Sequence, residues 1–225
     1  LNLIRVMPAE GRDEDLLLRS NSPLRGETSM KNQSMGVGEP AAKSMVLSPR
    51  RETERLRILT ESIVMVALSG ALYLIRIFTL PQGGSITLGS MVPIFLLALR
   101  RGPWIGIVGG VAFGLVALVE DVSSGAEVIF YPAQVILDYP LALGVLGLAG
   151  FFRKIPVVGV GVGVAARFCS HFVSGVLFFA SFAPAGVSPL VYSALYNGGF
   201  LIPEFVITAA LMIVLVRVKA LELYL

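Results

Sequence analysis

Long apolar stretches separated by short polar segments make up the chain from about residue 58 onward. A helix that crosses the hydrocarbon core of a bilayer needs about 20 mostly apolar residues. The apolar stretches therefore predict six transmembrane helices, over residues 58–78, 86–99, 103–119, 128–152, 156–180 and 189–216. The second stretch is short, so we expect it to be tilted, broken or flanked by a buried loop. The predicted fold class is an all-α integral membrane protein.

The composition excludes a water-soluble globule for this part of the chain. The chain has 225 residues, of which 55% are hydrophobic and 15% are charged, whereas a soluble domain carries about 25% charged residues. Ten of the eighteen Lys and Arg residues lie within residues 1–57, so few polar side chains remain to face water further along. The later basic residues form short runs between apolar stretches, which is a membrane pattern, and we expect no nucleic-acid partner.

The first 50 residues differ from the rest of the chain. They mix charges, Ser, Gly and Pro with few aromatic residues, a composition typical of disorder. The chain begins with Leu1, and Met45 lies close to the first apolar stretch. An alternative to a disordered segment is that the natural protein starts near Met45, so that residues 1–44 are not part of it. We therefore predict an N-terminal extension over residues 1–50 and a six-helix membrane domain over residues 51–225.

The distribution of charge predicts the orientation in the membrane. Basic residues precede the first span, follow the sixth and occupy the loops at residues 100–101 and 153–154. The opposite loops carry no Lys or Arg, and the loop between the third and fourth spans carries acids that include Asp121. Arg76, near the outer end of the first span, is the exception. Because positive loops stay on the cytoplasmic side, we predict that both termini are cytoplasmic.

Four ionisable residues lie inside the predicted spans, where a charge is costly unless it faces a partner or a cavity. They are Asp138 in the fourth span, Arg167 and His171 in the fifth, and Glu204 in the sixth. Arg167 and Glu204 lie at comparable depth, and we expect them to form a structural ion pair.

The outer half of the predicted bundle gathers further polar and aromatic groups at the depth of Asp138 and His171. Tyr192 and Asn197 lie at the outer end of the sixth span, and Phe179 ends the fifth. Such a set favours a ligand pocket over separate helix-to-helix hydrogen bonds. A carboxylate attracts a cation, aromatic faces attract a flat cationic ring, and amide and imidazole groups bind a heteroaromatic edge. The residues therefore predict a site for a small, positively charged solute that contains a ring.

Catalytic and metal-binding motifs are missing from the sequence. One His and one Cys cannot complete a zinc site. Neither a Walker A sequence nor a Gly-x-Ser-x-Gly nucleophile motif occurs, which disfavours ATP hydrolysis by this chain and an intramembrane hydrolase built on His171. We expect a protein that is not an enzyme and that has no catalytic residue, metal or cofactor.

Four blocks of the membrane part carry a more specific signal. They read LPQGGS at residues 80–85, LDY at 137–139, HFVSGVLFFASFAP at 171–184 and VYSALYN at 191–197. Together they resemble the thiamine-specific substrate-binding (S) component of energy-coupling factor (ECF) transporters, and the resemblance covers residues 58–218. It implies a six-helix protein of a prokaryotic plasma membrane that captures extracellular thiamine with high affinity. It also implies docking on a transmembrane coupling protein with two cytoplasmic ATP-binding subunits.

The resemblance also implies individual residue roles. Carried over position by position, it assigns ligand contacts to Asp138, Tyr139, His171, Phe179, Tyr192 and Asn197. Phe179 falls where some relatives carry a tryptophan that stacks on the ligand. The resemblance further assigns partner docking to a stripe on the first span, formed by Ile63, Ala67 and Ala71. Ordinary packing of this stripe within the bundle is the alternative.

Two other functions stay open at this point. Residues 84–88 lack the acid and the tryptophan that some relatives carry there. The first alternative is therefore an S component that binds another vitamin or a thiamine precursor. The chain is alternatively a solitary proton-coupled thiamine carrier in which Asp138 or His171 cycles a proton. The absence of clear inverted repeats disfavours such a carrier. In the leading hypothesis the glycine-containing loop Pro81–Ser85 closes an outward cavity over the ligand.

Overall fold

The computed structural model describes residues 49–125 and 131–219, so the predicted N-terminal extension falls almost wholly outside the described residues. Within the described ranges six helices follow one another: α1 Pro49–Tyr73, α2 Val92–Arg101, α3 Pro103–Ser124, α4 Pro132–Phe152, α5 Pro156–Phe178 and α6 Pro189–Arg217. All except α2 are long and apolar enough to cross a membrane. The described part therefore has five candidate membrane helices, and the predicted number of six is not confirmed.

The region after α1 differs from the predicted pair of membrane helices. Helix α1 ends at Tyr73, and strand β1, Arg76–Thr79, pairs antiparallel with strand β2, Ser85–Thr87. The fold is thus mostly rather than entirely helical. The prediction failed because β-branched residues such as Ile75 and Ile77 are as apolar as a membrane helix but favour extended backbone. The second span, predicted over residues 86–99, is correspondingly reduced to strand β2 and helix α2.

Helix α2 is short, but the protein itself surrounds it. Its ten residues span only about 15 Å at 1.5 Å per residue. Ile94, Phe95 and Leu97 are fully buried, and α2 packs against α1, α3 and α4. Broken helices are tolerated at membrane depth where protein covers them, because their ends are then not exposed to lipid. Pro93 in the first turn and Gly102 after the last residue define its limits.

Helices α3 and α4 approach each other closely through glycine. Gly110 and Gly114 of α3 lie against the backbone of α4, and a Cβ on Gly110 would come within 2.2 Å of the Leu143 carbonyl oxygen. Gly147 of α4 similarly lies against the backbone of α3 at Ile107. Small residues permit such contact in membrane proteins. This packing holds α4 in place along the wall of the cavity described below.

Basic side chains gather at one end of the bundle. Arg100 Nη1 lies 2.9 Å from Glu61 Oε1, and Arg101 Nη2 lies 2.5 Å from Glu61 Oε2. Arg153, in the loop after α4, donates from Nε to the Leu99 carbonyl oxygen at 2.7 Å. The two loops predicted to be cytoplasmic therefore lie at the same end. The side of the membrane that this end faces stays a prediction.

The β-hairpin lies at the opposite end. Arg76 of β1 forms an ion pair with Asp121, in the last part of α3. Helix α3 begins at Pro103, beside the basic end, and Asp121 lies about 27 Å further along its axis. Arg76 is the basic residue that lies at the end predicted to face outward. The ion pair explains why it is tolerated there, because its charge is balanced within the protein.

Candidate functional site

A cavity lies beneath the hairpin, among α4, α5 and α6. It comprises about 680 Å³, counting the part that is open to solvent. All six residues predicted to contact a ligand line it: Asp138, Tyr139, His171, Phe179, Tyr192 and Asn197. Residues 82–85 of the hairpin line the same space. The structure thus brings the predicted residues together, and their contact with a ligand stays a prediction.

A change in helix winding positions the first two of these residues. Helix α4 contains a π-helical turn over Leu137–Leu141, which includes Pro140. Proline has no N–H to donate within a helix, so the regular hydrogen-bond pattern is broken there. Ser170 of α5 donates to the Leu137 carbonyl oxygen at 2.6 Å and satisfies part of the disturbed backbone. Such turns frequently occur at functional sites, and this one places Asp138 and Tyr139 on the cavity.

The Asp138 carboxylate is held by two neighbours on α5. The Ser174 hydroxyl donates to Oδ2 at 2.8 Å, and His171 Nδ1 lies 3.2 Å from Oδ1. The Asp138 side chain is 12% exposed to solvent. Two hydrogen bonds leave the carboxylate with further acceptor positions for a ligand.

A chain of buried polar groups continues from His171 into the bundle. Arg167 donates from Nε to His171 Nε2 at 3.3 Å, and its Nη1 lies 3.0 Å from Glu204 Oε2. This contact confirms the predicted ion pair between Arg167 and Glu204. The second Glu204 oxygen accepts a hydrogen bond from the Thr87 hydroxyl at 2.6 Å. Thr87 is the last residue of β2, so this series of polar contacts runs from His171 at the cavity to the base of the hairpin.

Asp121 is a cavity-lining acid that the sequence prediction did not include. It is 2% exposed, and its Oδ2 accepts hydrogen bonds from the Tyr73 and Tyr139 hydroxyls, each at 2.9 Å. Its Oδ1 pairs with Arg76. One sequence signal pointed to it, because an arginine at the outer end of a span needs an acidic partner. The predicted third span ended before Asp121, whereas helix α3 extends to Ser124.

Charge in the cavity is unevenly balanced. Asp121 is paired with Arg76, and Arg167 is paired with Glu204. Among the described lining residues, Asp138 is the acid with no arginine partner. A carboxylate without a paired cation in a partly desolvated site favours a positively charged ligand. Within residues 49–125 and 131–219, no group of three or more His, Cys, Asp and Glu is placed to hold a metal ion.

Tyrosines of α6 hold the tip of the hairpin over the cavity. The Tyr196 hydroxyl accepts a hydrogen bond from the Gly84 N–H at 3.0 Å and donates to the Pro81 carbonyl oxygen. The Tyr192 hydroxyl donates to Gln82 Oε1 at 3.4 Å. A Cβ on Gly84 would lie 2.9 Å from the Phe200 ring, so glycine is needed for this close approach. The tip therefore forms the roof of the cavity.

Aromatic rings line the α6 side of the cavity. The rings of Tyr192, Tyr196, Phe200 and His171 follow one another with centroid separations of 5.9, 6.1 and 5.7 Å. Phe179, at the end of α5, lies 5.9 Å from Phe182. These distances fall in the range of favourable aromatic contacts. The arrangement offers several ring faces and edges to a flat ligand.

Asn197 joins α6 to α5 beside the cavity. Its amide nitrogen donates to the His171 carbonyl oxygen at 3.2 Å and to the Ser193 carbonyl oxygen at 2.9 Å. Gly175 of α5 permits this approach, because a Cβ there would lie 2.3 Å from Ser193 Oγ. The predicted contact residue therefore depends on a glycine of the neighbouring helix.

Replacing Gly175 with alanine is expected to displace Ser193 and Asn197. We expect a loss of about 1–3 kcal/mol in stability, as for other overpacked sites, together with weaker ligand binding. Gly161→Ala on the same helix is the matched control, since a Cβ there meets nothing within 4 Å. Thermal unfolding and calorimetric titration in detergent measure both effects. Equal unfolding temperatures and affinities for the two variants would contradict this packing.

The residues predicted to dock on a partner lie away from the cavity. Ile63 is 60% exposed, and Ala67 and Ala71 are exposed on the same side of α1. The alternative that this stripe packs within the bundle is therefore wrong. Gly70, next to Ala71, faces the bundle instead and contacts α3, where its Cβ would lie 2.9 Å from Val116 Cγ1.

Comparisons with known proteins agree with the resemblance in the sequence. Residues 59–224 match the family described as thiamine transporter protein (Thia_YuaJ). The chain is 32% identical over 176 residues to thiamine transporter ThiT of Bacillus subtilis (strain 168), covering 71% of this chain and 87% of that protein. It is 29% identical over 188 residues to thiamine transporter ThiT of Lacticaseibacillus paracasei (strain ATCC 334), covering 75% of this chain and 90% of that protein.

A solved structure of ThiT from Listeria monocytogenes has the same fold. The TM-score is 0.65 at 26% sequence identity, and the match covers 74% of this chain and 97% of that chain. Bacterial relatives and five apolar helices identify a multi-pass protein of a prokaryotic plasma membrane. Because the family match spans well over half of the sequence, the chain belongs to the thiamine transporter family, the family of thiamine-specific S components.

Proposed function

We propose that this chain captures extracellular thiamine with high affinity and delivers it across the membrane as the S component of an ECF transporter. The observation that carries this proposal is Asp138, an acid that has no arginine partner within the described part of the chain and that lines a cavity with several aromatic side chains. Thiamine is a small cation with two heteroaromatic rings, so it matches the charge and the shape of such a site.

Five of the lining residues have assigned roles in the proposed complex. Asp138 balances the positive charge or binds the aminopyrimidine ring. Phe179, Tyr139 and Tyr192 supply ring faces or edges, and Asn197 fixes the orientation of the ligand from α6. Together these groups distinguish a flat cation from a neutral or anionic vitamin by charge as well as by shape.

Calorimetric titration of the detergent-solubilised protein tests the ligand. We expect heat of binding for thiamine, and we expect neither riboflavin nor biotin to compete with it. The thiamine pyrimidine precursor lacks the cationic thiazolium, so it should bind at least tenfold more weakly, a difference of about 1.4 kcal/mol. Preferential binding of riboflavin, biotin or the precursor would contradict thiamine as the ligand.

The hairpin acts as the lid in this proposal. Its tip is held by hydroxyl groups of α6, which exchange partners more readily than the buried ion pair at its base, Arg76–Asp121. The ligand therefore enters when the tip moves away from Tyr196 while the base stays in place.

Replacing Tyr196 with phenylalanine is expected to accelerate thiamine dissociation at least tenfold. The change removes one hydroxyl that binds both Gly84 and Pro81, so the tip is held less firmly. Stopped-flow fluorescence or filter-binding chase experiments measure the rate. Tyr131→Phe is the control, because Tyr131 is 57% exposed and contacts Phe178 outside the cavity. Equal dissociation rates in both variants would contradict the role of the tip.

Uptake needs an energy source, which we assign to partner proteins. We propose that the exposed stripe Ile63, Ala67 and Ala71 docks on a transmembrane coupling protein carrying two ATP-binding subunits. Small residues on an exposed membrane-helix face allow another helix to approach closely. The basic end of the bundle faces the cytoplasm in this arrangement, so the lid faces outward.

A solitary proton-coupled carrier is the second candidate, and the buried polar chain from Asp138 to Glu204 favours it. Chains of this kind relay protons in some transporters. Purified protein in liposomes distinguishes the two candidates. Thiamine accumulation driven by a pH gradient without ATP-binding subunits would support the carrier, and accumulation only with the coupling module and ATP would support the S component.

A further inference from the structure

We infer that Arg167 is a positioning residue that fixes the tautomer of His171 and thereby orients the Asp138 carboxylate toward the cavity. The consequence for ligand binding rests on the proposed function, whereas the tautomer itself follows from the hydrogen-bond geometry. In this arrangement neither ring nitrogen of His171 is left for the ligand, and His171 acts on the ligand through Asp138.

The geometry determines which His171 nitrogen carries hydrogen. Arg167 Nε lies 3.3 Å from His171 Nε2, and a guanidinium nitrogen only donates. His171 Nε2 must therefore accept, so the ring hydrogen resides on Nδ1. That nitrogen lies 3.2 Å from Asp138 Oδ1 and donates to it. A hydrogen bond at one ring nitrogen sets the state of the other, as is general for histidine.

Arg167 is itself held rigidly. Its Nη1 is bound to Glu204 at 3.0 Å, and both side chains are buried. Because the guanidinium is planar, fixing Nη1 on Glu204 also fixes the direction of the Nε–H bond. A lysine has a single rotatable donor group at its end and does not impose the same geometry. The Thr87 hydroxyl on the second Glu204 oxygen completes the support.

Among residues 49–125 and 131–219, Asp138 and Arg167 are the polar side chains that bind the ring nitrogens of His171. Asp138 of α4 lies at one ring nitrogen, and Arg167, on the same helix as His171, lies at the other. From α6, His171 meets the Phe200 ring edge at 5.7 Å and the Asn197 amide, which binds the His171 backbone rather than its ring. Among the described contacts, the two ring nitrogens are thus fully used by Asp138 and Arg167.

The opposite tautomer would disturb the carboxylate. With hydrogen on Nε2, the bare Nδ1 lone pair would face the Asp138 Oδ1 lone pairs at 3.2 Å. Asp138 would lose a donor and rotate away, keeping only the Ser174 hydroxyl. Arg167 prevents this because a second donor on Nε2 would clash with its own N–H. We therefore expect loss of Arg167 to weaken thiamine binding about tenfold through Asp138.

Nuclear magnetic resonance reads the tautomer directly, because His171 is the single histidine of the chain. Protein labelled with ¹⁵N-histidine yields one imidazole spin system, whose long-range ¹H–¹⁵N pattern identifies the protonated nitrogen. The wild-type protein should show hydrogen on Nδ1 and a bare Nε2. A ring with hydrogen on Nε2, or on both nitrogens, would overturn the inference.

Variants separate the effect of Arg167 from general damage. The double variant Arg167→Met/Glu204→Gln removes both charges together and so leaves no unpaired buried charge. It should shift His171 toward the Nε2–H tautomer or a mixture. Thr87→Val, at the far end of the same chain, should retain the Nδ1–H form. An unchanged tautomer in the double variant would overturn the inference. If that variant does not fold, Arg167→Lys takes its place, because lysine keeps the charge opposite Glu204 without the planar Nε–H donor, and an unchanged tautomer in it would overturn the inference equally.

Calorimetric titration of the same samples distinguishes the two levels of the proposal. If the wild-type protein shows the Nδ1–H form and binds no thiamine, the proposed function fails while the tautomer assignment holds. If the wild-type protein binds thiamine and the double variant binds it within threefold, the positioning role of Arg167 fails.

Discussion

Substituting Asp138 with alanine is expected to weaken thiamine binding at least a hundredfold, about 2.7 kcal/mol. Asp138 is the acid without an arginine partner among the described residues that line the cavity, so its loss leaves the thiamine charge without a counter-charge in a partly buried site. Removing one member of a desolvated charge pair typically costs about 2–5 kcal/mol. Calorimetric titration of the purified variant in detergent measures the change.

A second variant separates charge from volume. Asp138→Asn retains the shape of the side chain, but its single amide oxygen accepts from either Ser174 or His171, which bind different oxygens of Asp138. Losses of similar size in the alanine and asparagine variants assign the effect to the charge. An alanine variant that binds thiamine within about threefold of the wild type, under about 0.7 kcal/mol, would remove Asp138 from the site.

Ala67→Trp is expected to abolish thiamine uptake by cells while the purified variant still binds thiamine. Ala67 is exposed on α1 and does not line the cavity, so an indole there extends outward from the bundle. A bulky side chain in a small-residue stripe keeps a partner helix at a distance. Uptake of radiolabelled thiamine by cells and titration of the purified protein measure the two properties separately.

Ala165→Trp supplies the matched control for this substitution. Ala165 is also an exposed alanine on a membrane helix, α5, but it lies outside the proposed docking stripe. We expect this variant to retain uptake. Intact uptake in the Ala67 variant, or equal loss in both variants, would contradict a docking surface on α1.

The membrane helices could be read from hydropathy because a bilayer imposes a length and an apolar composition on each span. Helices α3, α5 and α6 begin at Pro103, Pro156 and Pro189, where the predicted spans begin. The hairpin could not be read in this way. Apolar residues run through the hairpin and the following helix as they do through a span, and the burial of β2 and α2 within the bundle is a tertiary property.

The cavity residues could be anticipated because polar groups inside a bilayer need partners or a cavity. Asp138, His171 and Asn197 lie on three different helices, and only similar depth connected them in the sequence. Asp121 was not predicted as a cavity residue, because the last part of α3 lies beyond the apolar stretch that defined the third span. The choice of partner for Arg76 among nearby acids required the three-dimensional structure.

Mass spectrometry of the small molecules that co-purify with the protein tests most directly whether this cavity holds thiamine. We expect wild-type protein from cells grown with thiamine to release thiamine on denaturation, in an amount equal to the protein. The Asp138→Ala protein should release little or none. Wild-type protein that is folded, yet releases no thiamine and binds none when it is added back, would contradict the proposed function.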